Sequence, residues 1–134
     1  MQAPGRILLL VTGIILIIGG VFAVISGVFL DMVGQALDGL GGVVGVQDAG
    51  AGFGNLAFIA VILGVIDFVI GVIGITYRNN LDKSTLLMSL GFVALILYVV
   101  GGVITGAFTF TTIVFLAIPI CYIVGAYKNK KASA

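Results

Sequence analysis

Long apolar stretches broken by short polar ones dominate this chain. The first stretch, residues 7–30, carries no charge and begins directly after Arg6. The second, 55–77, holds one acid, Asp67; the third covers 85–105 and the fourth 108–127. A tail, 128–134, opens with Lys128, Asn129, Lys130 and Lys131. An α-helix rises about 1.5 Å per residue, so about 20 mainly apolar residues cross the hydrocarbon core of a bilayer. Each stretch meets that requirement. The pattern predicts an all-α, single-domain integral membrane protein, a four-helix bundle with antiparallel up-down topology. A short turn near Gly106 joins the last two helices into a hairpin. The first stretch is too long for the apolar part of a cleaved signal, which runs to about 7–15 residues, and is expected to remain a membrane helix.

Residues 31–54 form the one sizeable loop of this scheme. Its first part sets Met32, Val33, Ala36, Leu37 and Leu40 at helical spacing, with Asp31, Gln35 and Asp38 elsewhere. That pattern predicts a short amphipathic helix lying at the interface. The rest, rich in glycine and alanine around Val43, Val44 and Val46, is expected to be a mobile, membrane-hugging loop.

Glycines mark where helices approach one another. Lipid tails are as apolar as leucine, so helices in a bilayer associate through close backbone packing and occasional polar contacts. In the first helix Gly13, Gly20 and Gly27 recur every seven residues, and Gly19, Ala23 and Gly27 form a second row of small residues. In the second, Ala60, Gly64, Asp67, Gly71 and Gly74 alternate at spacings of four and three, the period of left-handed packing. The third repeats the pattern with Ser84, Met88, Gly91, Leu95, Tyr98, Gly102 and Thr105. The fourth offers Ala117, Cys121 and Gly125.

Composition agrees with the pattern. Of 134 residues, 61% are apolar and 8% charged, against about 25% charged in an ordinary soluble domain. Histidine and tryptophan are absent, and the single cysteine, Cys121, reads as a small packing residue inside an apolar run. Without histidine or a cluster of ligands, no metal site, cofactor or enzymatic activity is expected, and no HExxH or GxSxG motif occurs. A net charge of +1, with no basic stripe carrying aromatics, excludes nucleic acid as a partner.

Charge then orients the spans. With four crossings, Arg6, Arg78, Lys83, Lys128, Lys130 and Lys131 all fall on one side, and Asp31, Asp38 and Asp48 on the other. Short loops rich in Lys and Arg stay in the cytoplasm. The expectation is a multi-pass protein of the cell membrane with both termini cytoplasmic. The same six residues are candidates for meeting anionic lipid headgroups.

Asp67 is the residue that asks for a role. It lies about 15 Å from the cytoplasmic end of its helix, near the midplane. A charged group there costs about 2.5–3.5 kcal/mol on insertion scales. Tyr98 reaches ~19 Å along the third helix. Pro119 in the fourth cannot donate to the carbonyl of Phe115, leaving that acceptor open. A protonated Asp67 can donate to either, so Asp67, Tyr98 and Pro119 are the candidate binding or coupling residues. Two roles stand: a proton or cation site coupled to transport, or a structural interhelical hydrogen bond.

The opening PGRILLLVTGIILIIGG and the closing PICYIVGAYKNKK (119–131) resemble small tetraspan membrane proteins of Gram-positive bacteria, a group that brings no activity to carry over. The likeness covers the two ends and the four-span layout. Claudin-like proteins bear Trp and Cys in an outer loop, which this chain lacks. Small multidrug transporters carry their essential carboxylate in the first helix, and here the acid is in the second. The leading expectation is a non-enzymatic membrane protein acting by assembly, as a homo-oligomer or as an accessory subunit beside other membrane proteins. The alternatives are a small transporter or channel using Asp67, and a holin-like pore former.

Overall fold

A computed structural model of the chain describes residues 2–46, 50–104 and 109–134. Its elements are α1 (Arg6–Val44), α2 (Ala51–Thr76), a 3-10 turn (Leu81–Lys83), α3 (Ser84–Ile104) and α4 (Phe110–Ser133). All four helices are long and apolar enough to cross a membrane. The physical reason is that hydrocarbon offers the backbone no hydrogen-bond partner, and a helix satisfies its own N–H and C=O groups within one segment. The described residues are all helix and connection, as a multi-pass membrane protein requires.

The helix bounds differ from the expected ones at three places. The first helix does not stop at residue 30 but runs to Val44, absorbing the segment predicted as a separate interfacial helix. No proline interrupts 31–44, and the Gln35 side chain donates to Asp31 one turn back at 2.8 Å, so nothing ends the helix there. It ends where Gly45 takes φ +78°, a conformation that suits glycine, and the Val46 N–H reaches the Gly41 carbonyl at 2.9 Å. The second helix starts at Ala51 rather than 55, which shortens the expected 31–54 loop to a brief connection. The tail is likewise helical to Ser133, because lysine and alanine are good helix formers and cations favour a helix C-terminus. Asp48, Thr105, Gly106 and Phe108 lie outside the described residues.

The chain divides into two compact units, Gly19–Ile66 and Met1–Ile18 with Asp67–Ala134. In the first of these, α1 and α2 run in opposite directions along a row of small residues. A Cβ placed on Gly64 would lie 2.6 Å from the Gly20 carbonyl oxygen, and one on Gly27 would lie 2.9 Å from that of Ala57. Gly34 meets Phe53 and Gly50 in the same way. Seven residues up α1 match seven down α2, so side chains larger than hydrogen would hold the backbones apart. At the far end Gly50 donates its N–H to the Asp38 carboxylate at 2.7 Å, and Asp38 thereby caps α2 from α1.

The other unit holds the start of α1, the end of α2, and α3 and α4, which pack against each other. Here Gly13 and Gly71 give the close approach: a Cβ on Gly71 would meet the Gly13 carbonyl oxygen at 2.7 Å. On α3 the fully buried positions are Ser84, Leu87, Gly91 and Ala94, so Leu87 and Ala94 take the inward places that the sequence pattern assigned to Met88 and Leu95. On α4 the buried face is Pro119, Tyr122, Gly125, Ala126 and Asn129, while Ala117 is exposed and Cys121 half-buried. The α4 face is therefore turned away from the expected Ala117 row, because the bulky Tyr122 takes the inward position.

Candidate functional site

Asp67 and Tyr98, 31 residues apart in the chain, meet across α2 and α3: the Tyr98 hydroxyl donates to Asp67 Oδ2 at 2.9 Å. Asp67 is 8% exposed, and Tyr98 half-buried. Gly64 and Gly71 flank Asp67 on the small-residue face of α2, which turns the carboxylate toward protein. The pair therefore ties two helices through one polar contact. Pro119 is buried inside α4 and is not part of this bond.

One turn of α2 toward its C-terminus lies a residue that the glycine pattern does not name. Tyr122 is the largest fully buried side chain. Its ring lies in a slot between two glycines: a Cβ on Gly74 would come 2.5 Å from the ring, and one on Gly91 3.0 Å from it. Through that slot the Tyr122 hydroxyl donates to the Ile70 carbonyl at 3.2 Å. Gly74 and Gly91 thus serve a tyrosine of a third helix, with Gly91 also meeting Ile123. The signal available in the sequence was Tyr122 itself, three and four residues from Pro119 and Ala126 on one helical face.

Of the remaining packing glycines, Gly125 lies against Leu8, Leu9 and the Gly5 carbonyl, Gly20 is buried, and Gly102 is half-buried on α3. Gly5 is as tightly placed, since a Cβ there would fall on the Gly125 carbonyl oxygen.

The basic residues gather at one end of this unit around Asn129. The Gly5 N–H donates to Asn129 Oδ1 at 2.7 Å, and Asn129 Nδ2 donates to the Arg78 carbonyl at 2.9 Å. Asn129 is fully buried. One carboxamide therefore joins the start of α1, the residue after the last turns of α2, and the last turns of α4. Arg6 and Arg78 are half-buried there, whereas Lys83, Lys128, Lys130 and Lys131 are exposed. Sequence reasoning placed Asn129 in a solvated tail. Its spacing of seven from Tyr122 and three from Ala126 was the clue that the inward face continues.

Among the described residues, no group of three or more His, Cys, Asp or Glu side chains is placed to hold a metal ion. Comparison of the chain with models of protein families, with curated proteins and with solved structures found no match. The geometry of these side chains alone carries the functional argument.

Proposed function

We propose that this is a non-enzymatic protein of the cell membrane that acts by assembly, as a homo-oligomer or as a small accessory subunit of a membrane complex. The observation that supports this reading best is the length of α1 and what its second half exposes. Its 39 residues amount to about 58 Å of helix, against about 30 Å of hydrocarbon and 40–45 Å with the headgroups. A helix that long extends beyond the hydrocarbon, and on this reading its C-terminal part, from Asp31 to Val44, lies outside it. There Met32 and Leu40 are exposed, and Val43 and Val44 are 85% and 74% exposed. Large apolar side chains exposed outside the hydrocarbon support a place where another protein binds.

The six basic residues support cytoplasmic termini and an up-down course of the four spans. Tags on the two termini are expected to report the same, cytoplasmic, face. Assembly is tested by placing a single cysteine at Val43 in a Cys121→Ala background and crosslinking in native membranes, with native mass spectrometry of the unmodified chain alongside. Crosslinked species above the monomer are expected. A lone monomer by both methods overturns the proposal.

A second reading, proton- or cation-coupled transport, is favoured by one observation: a carboxylate deep in α2 that accepts from a hydroxyl. Intramembrane acids are costly and functional by default. Proton flux into liposomes carrying wild type or Asp67→Asn tests it, and equal flux at every pH removes it.

A further inference from the structure

We propose that Arg6 and Arg78, on backbones that Asn129 ties together through Gly5 and the Arg78 carbonyl, form a binding site for the phosphate of an anionic phospholipid headgroup. The buried Asn129 carboxamide binds Gly5 on one side and Arg78 on the other, so the backbones that carry the two arginines stand one carboxamide apart. Arg6 and Arg78 are both half-buried. Among the described residues neither makes an ion pair. Asp82, the acid nearest in sequence to Arg78, lies exposed on the 3-10 turn, where its N–H is capped by Asn80. The first turn of α1 contains no acid, so the partial positive charge of that helix end adds to the field.

Two arginines carried on adjoining backbones suit a phosphodiester, because each guanidinium presents paired N–H donors to two oxygens. The lysines of α4, exposed and tied to no other element among the described residues, supply only diffuse attraction. What selects a lipid over a soluble phosphate is the apolar surface next to the arginines: Ile7 directly after Arg6 is 73% exposed, and Tyr77 directly before Arg78 is also exposed. A headgroup held by the arginines leaves its acyl chains along that surface.

The site rests on the proposed placement of the basic end at a membrane face, but binding is read in detergent, whichever leaflet that end meets. The test is native mass spectrometry of the full chain with phosphatidylglycerol or phosphatidylcholine of identical acyl chains. Wild type is expected to retain phosphatidylglycerol selectively. A basic residue near a phosphate contributes about fivefold, so Arg6→Gln/Arg78→Gln is expected to weaken phosphatidylglycerol retention by about 25-fold without changing phosphatidylcholine retention. Lys128→Gln/Lys130→Gln/Lys131→Gln is expected to change it far less. Circular dichroism checks that each variant folds. If the glutamine pair does not, Arg6→Lys/Arg78→Lys keeps the charge and removes the fork, and is expected to bind phosphatidylglycerol measurably more weakly than wild type.

No preference for phosphatidylglycerol, or equal loss in the lysine triple variant, overturns the site. So does abolition of retention by millimolar inorganic phosphate, which would make the ligand a soluble one. Termini on the outer face would overturn the proposed orientation and leave the phosphatidylglycerol preference intact, so the two failures are distinguishable.

Discussion

Replacing Tyr98 by phenylalanine removes one hydroxyl and almost no volume, which makes the Tyr98–Asp67 bond measurable. At 2.9 Å it is slightly longer than the most frequent O–H···O separation of about 2.7–2.8 Å. Interhelical hydrogen bonds in membrane proteins average about 0.6 kcal/mol and reach about 1.7 kcal/mol. Asp67 is buried, so loss of the donor also leaves an acceptor without its partner, and the expected cost lies above that average, at about 1 kcal/mol. That is about a fivefold change in the unfolding equilibrium. The discriminating experiment is a double-mutant cycle of Tyr98→Phe and Asp67→Ala, read by steric trapping or by unfolding in mixed micelles. Tyr98→Phe is expected to cost about 1 kcal/mol in wild type and close to nothing once Asp67 is alanine. An equal cost in both backgrounds would mean that the hydroxyl stabilises the fold through something other than the carboxylate, and the structural role given to the pair would be wrong.

Other substitutions test the packing. Gly71→Ala drives a Cβ to within 2.7 Å of the Gly13 carbonyl oxygen and is expected to destabilise by about 1–3 kcal/mol. Gly39→Ala meets nothing within 4 Å and is expected to be neutral or to stabilise α1 by up to ~1 kcal/mol; the same unfolding assay reads both, and a reversed order refutes the close approach. Asp38→Ala removes the cap from Gly50 and is expected to cost about 1 kcal/mol. Hydrogen exchange at the first turn of α2 should quicken, and unchanged exchange there would show that the cap is immaterial.

Much of the candidate site was legible before any coordinates. The four-and-three spacing of Gly64, Asp67, Gly71 and Gly74 put the acid on an inward face, and depth offered it Tyr98 or the Phe115 carbonyl as an acceptor; the structure pairs it with Tyr98 and makes the tyrosine the donor. The extension of α1 was legible too, had the row of sevens from Gly13 to Gly27 been followed to Gly34 and Gly41; α2 answers with Gly50, Ala57, Gly64 and Gly71. Loop-like composition hid it, since glycine and aspartate ordinarily break helices in water. Tyr122 and Asn129 were missed for a different reason. In a bilayer, apolar side chains occupy both lipid-facing and inward positions, so hydropathy does not reveal which way a helix such as α4 is turned.

The chain's own residues determine, among the described residues, four helices long and apolar enough to cross a membrane, and small residues where they approach closely. Those properties follow from segment length and from the obligation of every backbone polar group to be satisfied inside hydrocarbon, which act on each segment separately. Only the tertiary structure decided the rotation of α3 and α4, the slot that Gly74 and Gly91 open for Tyr122, and the carboxamide that ties Gly5 to the Arg78 carbonyl. Those depend on which surface of one helix meets another. Where leucine against leucine and leucine against lipid are nearly equal in energy, that choice is made by shape and by a few hydrogen bonds between residues far apart in the chain.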